Sequence, residues 1–397
     1  MVLFLHNRYR TTGGEERVVD ELLKLVRDRL GEPAELLARD SAGLGGARAA
    51  GGLLRGGLAP RDVAKAVRMT GARVVHAHNL NPLFGWRSLA AARAEGARVV
   101  LHLHQYRLVC ATGVCFTAGQ ECTRCHGRNT LPGVIRNCRG SRTEALAYGA
   151  SLAVWQRRLA GQADAVIVPS VFARERLREI GAPLDWERVH VLAPPVGVPG
   201  EGQGGSDGDR DGDGPGPGAT VATRGARPTG PAIGTYALVV SRLAPEKGID
   251  VAIDACRMAG VPLVIAGDGP ELDALRARAA DGDVRFVGRV ENGELDRLRV
   301  AAALALVPSR SAETFGMSAA EAMAAGVPVV ASRIGALPEL VEGPGLVDPG
   351  DATALAEAIG RRWRDGAAGE RGRARVRELC APEVVAEGLA RVYRVDS

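Results

Sequence analysis

Lysine is nearly absent from this sequence: Lys24, Lys65 and Lys247 stand against 48 arginines in 397 residues. A bias that runs through the whole chain makes the formal charge of +5 a poor pointer to nucleic acid. An anionic substrate or a membrane surface accounts for it equally well. Aromatic residues are scarce too, at 4%. No apolar run reaches the roughly 18 residues that a membrane-spanning helix needs. The first residues, Val2 to Leu5, enter a strand directly, without a basic leader or cleavage site. These absences set the expectation of a cytoplasmic protein, with peripheral contact at the inner face of the membrane. Two motifs are also lacking. No G-x-G-x-x-G follows the first strand, which argues against a dinucleotide site. No Asp-x-Asp closes a strand to hold a cation, since Asp281-Gly282-Asp283 follows a helical stretch and precedes a strand. The chemistry is therefore expected to need neither a metal nor another cofactor.

What is present is an α/β rhythm. With 46% apolar residues over this length, the sequence suits two globular domains. Short apolar runs at 2–5, 74–78, 99–104, 165–170 and 189–193 predict buried strands, and helical spacing fills 18–30, 61–69, 82–94, 142–162 and 171–180. Residues 40–58 are Gly-rich and read as irregular. The predicted organisation is a first domain over 1–199, a flexible Gly/Asp/Pro-rich connector over 200–232, a second domain over 233–380 and a closing helix within 381–397 that can cross back to the first. Asp207, Asp209 and Asp211 in the connector mimic the start of a calcium loop, but Gly218 stands where the closing glutamate belongs.

Two clusters interrupt the first domain. His76, His78, His102 and His104 fall near the carboxyl ends of two strands, the edge where open α/β sheets bind ligands. Alternation puts His102 and His104 on one face. Then residues 105–140 carry Cys110, Cys115, Cys122, Cys125 and Cys138. Cys122-x-x-Cys125 has metal-ligand spacing, and Cys110 with Cys138 would complete a four-sulfur structural zinc site, with Cys115 and His126 as alternative ligands. A zinc-ribbon contact to nucleic acid needs aromatics interleaved with basic residues. Here Arg107, Arg124, Arg128, Arg136 and Arg139 have only Tyr106 and Phe116 among them, so no nucleic-acid partner is expected.

The second domain repeats the alternation. Its first predicted strand, 236–241, runs into Arg242 and Lys247, placed to reach a phosphate. A compact ammonium suits a crowded phosphate pocket, in a chain that otherwise uses arginine. Another strand ends at Gly267-Asp268-Gly269, and a third at Gly288-Arg289-Val290. The apolar run Leu304 to Pro308 reads as a strand leading into the stretch 309–335, which continues as loop, helix and strand, with Phe315, Gly316 and Met317 opening the helix. A helix start offers free N–H groups and a positive dipole end to phosphate. Glu313 before it and Glu321 within it could each grip hydroxyls.

These segments together resemble a family 4 retaining glycosyltransferase of the GT-B type. The resemblance rests on VSRLAPEKG (240–248), IAGDGPE (265–271), FVGRV (286–290) and the run 308–340, with GGEERVV (13–19), VVHAHN (74–79) and LHLHQYRLVC (101–110) in the first half. The run from His104 to Cys138 resembles a subgroup with a cysteine-bearing insertion. The resemblance implies two Rossmann-like domains facing across a cleft. It implies a UDP- or GDP-sugar donor, and transfer with retention to a sugar or lipid-linked acceptor in glycan, glycolipid or exopolysaccharide synthesis. Arg242 and Lys247 would neutralise the diphosphate, Glu313 hold the transferred sugar, Glu321 the ribose, and Phe315, Gly316 and Met317 lie against sugar or phosphates. His104 would sit near the reacting centre. Gly13 and Gly14 would approach phosphates and acceptor, and Gly267, Gly269, Arg289 and Val290 complete the donor set. Pro194-Pro195-Val196-Gly197 departs from the Asn- and Asp-bearing turn common in such proteins, so that contact is missing. A phosphorylase or epimerase on the same architecture is the alternative reading.

Overall fold

The computed structural model describes residues 1–8, 14–41, 43–197 and 234–394. The connector assigned to 200–232, Gly13 and residues 395–397 lie outside them. In chain order the strands are β1 (Val2–Arg8), β2 (Ala34–Asp40), β3 (Val74–Ala77), β4 (Arg98–His102), β5 (Phe116–Thr117), β6 (Gln120–Glu121), β7 (Ala165–Val168), β8 (Val189–Val191), β9 (Ala237–Val240), β10 (Leu263–Ala266), β11 (Val284–Gly288), β12 (Leu304–Val307), β13 (Val329–Ser332) and β14 (Leu346–Val347). One sheet has the order β2-β1-β3-β4-β7-β8 and the other β11-β10-β9-β12-β13-β14. Neighbouring strands in both pair in parallel. The chain therefore adopts the expected α/β architecture with two Rossmann-like sheets.

The sequence reason is the strand composition. VVHA, AVIV, LVIA, LALV and VVAS are buried at every position, so both faces must be covered, as in parallel sheets flanked by helices. Each sheet accordingly has a hydrophobic cluster on either side. In the second sheet the strand order reverses between β9 and β12, and in the first between β1 and β3. Such reversals leave a crevice outside the carboxyl ends of the strands, where helices depart to opposite faces.

The closing helix, Pro382–Arg394, belongs to the first domain by packing. Val385, Ala386, Leu389 and Val392 share a core with Val2, Phe4, Leu22 and Val100. Residues 105–140 form the β5–β6 hairpin and a short helix, Leu131–Ile135. They are tied to helix Val171–Glu179 by the Arg176–Glu121 ion pair and by Gly127 N donating to Ile180 O at 2.8 Å.

Several local readings need correction. Residues 40–58 are not irregular: Gly46–Arg55 is a helix. Its glycines lower helix propensity, but the helix is set by packing, since a Cβ at Gly52 would stand 2.4 Å from Pro82 O. Helices Asn292–Val300 and Gly366–Cys380 and strand β2 carry weaker patterns and were not evident from spacing. Gly366–Cys380 buries only Gly369, Val376 and Cys380. It meets its neighbour through glycine rather than an apolar stripe, with Gly369 against Gly326 O. β4 ends at His102, which leaves His104 in the loop beyond it.

Candidate active site

The second domain contributes a charged edge. Lys247 closes a short 3-10 turn, Pro245–Lys247, after β9, and Glu313 lies in the loop after β12. Sheet order makes those loops neighbours at the reversal point. Arg310 N and Ser311 N both donate to Glu246 O, at 2.8 and 3.2 Å. Lys247 Nζ then reaches Glu313 Oε1 at 2.6 Å, and Ser309 Oγ donates to the same oxygen at 2.6 Å. Burial raises the Glu313 pKa, but Lys247, Ser309 and Arg242 outweigh it and hold the carboxyl below its ordinary value. Glu313 is thus an anion fixed in place. Ala336 N donates to its main-chain carbonyl at 2.9 Å. Arg242 pairs with Glu246 and keeps about half of its side chain exposed (54%).

The helix start after Glu313 is real: Met317–Ala324, with Gly316 at its cap. Gly316 has φ +102°, and a Cβ there would meet Leu337 Cδ2 at 2.7 Å. The glycine is required by backbone conformation and by packing under the turn. Phe315 is 5% exposed, its ring in the domain core, which leaves its main chain to meet a ligand. Met317 packs with the cores of both domains. Gly267 and Gly269 act as supports. A Cβ at either would strike the main chain of Ser241 or Leu243, at 1.8 and 2.3 Å, so they let the loop after β10 lie on the loop carrying Arg242. Arg289 is exposed just beyond β11, with Val290 beside it half-buried.

Glu321 has two partners that spacing did not reveal. Arg299, 4% exposed, pairs with it from helix Asn292–Val300, and Arg17 pairs with it from helix Gly14–Leu30 of the first domain. The second pair crosses the cleft. Four hydrogen bonds do the same. Thr314 Oγ1 donates to His104 O at 2.8 Å, Ser170 Oγ donates to Thr314 O at 2.6 Å, and Val171 N and Phe172 N donate to the Glu339 carboxylate at 3.1 and 2.6 Å. The His104 loop therefore lies against the residue that follows Glu313. Gly14 begins helix Gly14–Leu30 on the first-domain side.

The facing edge is built of neutral imidazoles. His102 and His104 stack at 4.2 Å between ring centroids, His78 and His104 at 5.1 Å, and His76 and His102 at 5.3 Å. Their nitrogens bond one another: His76 Nε2 to His102 Nδ1 at 3.2 Å and His78 Nδ1 to His104 Nε2 at 2.8 Å, with Tyr393 Oη on His76 Nδ1 at 2.8 Å. Burial, reinforced by the neighbouring histidines, lowers His76 to about 3 and His78 and His102 well below their ordinary value. Burial lowers His104 as well, with Glu15 opposing. Ligand atoms of His76, His78 and His102 lie within 4.8 Å of one another. His76 and His102 stack at 9°, with His78 tilted to them by 33° and 31°, and His76 Nε2 and His102 Nδ1 already bond each other, as in a packed wall.

The cysteines gather in the insertion. Cys110 Sγ contacts Thr112 Oγ1 at 3.2 Å, Cys125 Sγ approaches Thr130 O at 3.8 Å, and Cys138 Sγ approaches Thr117 Oγ1 at 3.7 Å. A hydrogen bond from Cys115 lowers the Cys110 thiol strongly, while burial raises Cys125 to about 11. Cys110, Cys122 and Cys138 all act electrostatically on Cys125, but among the described residues the group of candidate ligand atoms lying within 4.8 Å of one another is His76, His78 and His102, not these thiols.

Comparison with known proteins matches both halves to glycosyltransferase domains. Residues 12–195 match the family described as "Glycosyl transferase 4-like domain", and 234–365 match "Glycosyl transferases group 1". A glycogen synthase of Mycobacterium tuberculosis is 38% identical over 181 residues, which are 42% of this chain and 43% of that protein. A GDP-mannose-dependent alpha-(1-6)-phosphatidylinositol monomannoside mannosyltransferase of the same species is 36% identical over 194 residues, 43% of this chain and 49% of that protein. The match thus spans about half the length of these curated relatives. Among solved structures, Anabaena HepE in complex with UDP superposes with TM-score 0.60 at 20% identity, covering 98% of each chain. Sucrose-phosphate synthase of Thermosynechococcus elongatus gives 0.66 at 19%, covering 99% of this chain and 98% of its own. These two likenesses establish the GT-B fold.

Proposed function

We propose, from the premise that this chain carries the paired domains of a GT-B glycosyltransferase, that it moves a sugar from a UDP- or GDP-sugar to an acceptor hydroxyl with retention of configuration. The observation that carries the reading is the Lys247–Glu313 pair, 2.6 Å apart, at the sheet reversal directly beside the His104 loop. Lys247, Arg242 and the start of helix Met317–Ala324 supply positive potential for a diphosphate. Glu313 supplies fixed acceptor oxygens for sugar hydroxyls, and Glu321 lies further along the helix for the ribose. In the reaction the bond between the anomeric carbon and the phosphate oxygen breaks. The acceptor oxygen bonds to the same face of that carbon, and the acceptor proton passes to the departing phosphate. Lys247 and Arg242 stabilise the charge that develops on the leaving group. Glu313 is already bound by an ammonium and a hydroxyl, which makes it a holder of substrate rather than a nucleophile. That favours front-face substitution without a covalent intermediate. No step calls for a metal ion.

Cys110, Cys122, Cys125 and Cys138, with the Cys122-x-x-Cys125 spacing, would close on a structural zinc in the insertion beside the cleft. Zinc at one equivalent in purified protein, with chelator lowering the thermal midpoint, is the expected result; metal-free protein of unchanged stability removes the assignment. Among the described residues no helix is long and apolar enough to cross a membrane, and we place the enzyme in the cytoplasm, working at the inner membrane face. The decisive experiment is thermal-shift screening against UDP, GDP and their sugars, because a ligand that binds only the folded state raises the midpoint. Stabilisation by one nucleotide series, followed by transfer from that donor, is expected. A flat response across the panel would remove the donor assignment.

A further inference from the structure

We infer that the acceptor carries a hydroxylated but largely apolar aglycone, held in a first-domain pocket that opens at His104; this rests on the glycosyl-transfer reading above. The pocket runs from Glu15, His104 and Gln105 to the facing helices Gly46–Arg55 and Arg142–Ala160. Its inner wall is Leu53, Leu152 and Leu159, with Trp86 and Trp155 tilted at 37° and 5.7 Å between ring centroids. Arg158 lies 5.2 Å from both indoles. Little of that wall can bind a free sugar, whose hydroxyls need a partner at almost every position.

The wall is not wholly apolar, and its polar atoms are the informative ones. Trp155 Nε1 is satisfied by Leu54 O at 3.0 Å, and Gln156 Nε2 by Gly127 O at 2.7 Å. Trp86 Nε1 and Gln156 Oε1 are buried and have no partner within the protein, and the same holds for His78 Nε2 and His102 Nε2. All four belong to residues that line this pocket. Gln156 is 2% exposed, His78 3% and His102 2%. Buried polar groups are rarely left unpaired, because each costs its full desolvation penalty. An indole N–H can only donate and a carboxamide oxygen can only accept. The complementary ligand has an apolar body between the tryptophans, an acceptor oxygen opposite Trp86 Nε1 and a donor hydroxyl opposite Gln156 Oε1. Its reacting hydroxyl is presented at the His104 end.

The test uses the full chain and titrates 4-nitrophenyl, octyl and methyl glucosides, following intrinsic tryptophan fluorescence and calorimetry, with UDP and GDP titrated in parallel. The aryl or alkyl glycoside should bind at least about tenfold more tightly than the methyl glycoside. Aryl over octyl identifies a flat aglycone, and the reverse a chain. Trp155→Ala should erase most of that preference, Trp155→Phe should restore it, and neither should change nucleotide affinity. Gln156→Met, which keeps the volume, should weaken the ligand without lowering the thermal midpoint by more than a few degrees. Equal binding of methyl and apolar glycosides, no binding of any, or a preference that survives both Trp155→Ala and Gln156→Met would overturn the inference. Failure of UDP and GDP to bind would instead strike the glycosyl-transfer reading itself.

Discussion

The two strand edges that meet at the cleft use opposite physics. On the second domain, Arg242, Lys247, Glu313 and Glu321 are charged and tied into ion pairs, with Arg242 and Lys247 retaining exposure. On the first, His76, His78 and His102 are buried and held well below the ordinary imidazole value, His104 beside them is half-buried and lowered too, and they lead into a wall of tryptophan and leucine. One edge concentrates charge, and the other is built mainly of neutral imidazole, indole and aliphatic groups, with Glu15 and Arg107 among its lining. That division suits a reaction in which a diphosphate departs on one side while a neutral hydroxyl approaches from the other. A charged acceptor side would compete for the donor phosphates.

The comparison breaks most visibly at Lys247. Lys247→Ala removes the ammonium that faces both the leaving group and Glu313, and kcat/KM should fall by about a hundred- to a thousandfold, near 2.7–4 kcal/mol. It should also weaken UDP or GDP affinity. Because the variant strands a carboxylate that is only 17% exposed, the thermal midpoint should drop too, and Glu313→Gln added to Lys247→Ala should recover part of it. Retained turnover in Lys247→Ala would show that charge on this edge is incidental. His104→Ala tests the other side. Transfer should fall by up to about a hundredfold through loss of positioning, while nucleotide affinity stays close to that of the parent. Equal loss of nucleotide affinity in both variants would dissolve the distinction between the edges.

How far the sequence showed this depends on whether a contact is local. Lys247 and Glu313 could each be placed at a strand end from the apolar runs before them. Their adjacency needed the sheet order β9-β12, which no spacing encodes. The helix start at Gly316 was legible because glycine and strong helix formers follow a strand directly. Its reason was not, since Leu337 beneath it is 21 residues on. The histidines stood out as a cluster, yet their stacking depends on the twist between β3 and β4. Helix Gly46–Arg55, which walls the pocket, was hidden because glycine, its means of close packing, is also the residue that weakens a helical pattern.

The two edges should also differ in acid. His76 has a folded value near 3 against about 6.5 in the unfolded chain. Between those values the unfolded state binds the extra proton, so stability is complete above about 6.5 and is lost as pH falls, by about 1.4 kcal/mol per unit for one such group. His78, His102 and His104 are shifted the same way. Glu313, lowered from 4.5, adds its loss only below that value. Denaturant midpoints should therefore fall first through the histidine window, and His76→Gln should flatten the slope from about 6.5 down to about 3, leaving in place the further loss that Glu313 adds below 4.5. A slope unchanged by His76→Gln would mean that the stacked wall does not govern acid stability.

The smallest expected effect is the sharpest on one residue. Glu321 stands at the seam between the edges, with Arg17 reaching it from one domain and Arg299 from the other. Arg17 is 38% exposed, so its pair is worth no more than about 1 kcal/mol, and Arg17→Ala should barely move the thermal midpoint. If Glu321 receives the donor ribose, Arg17 competes with the nucleotide for the carboxylate. Arg17→Ala should then lower the donor KM by about two- to fivefold, within that same energy, while Glu321→Ala raises it. If Glu321 is only a tie between domains, both variants lose the same cross-cleft contact, Glu321→Ala losing Arg299 besides, and KM should shift in the same direction in both. Opposite signs assign the carboxylate to the donor, and like signs assign it to the seam.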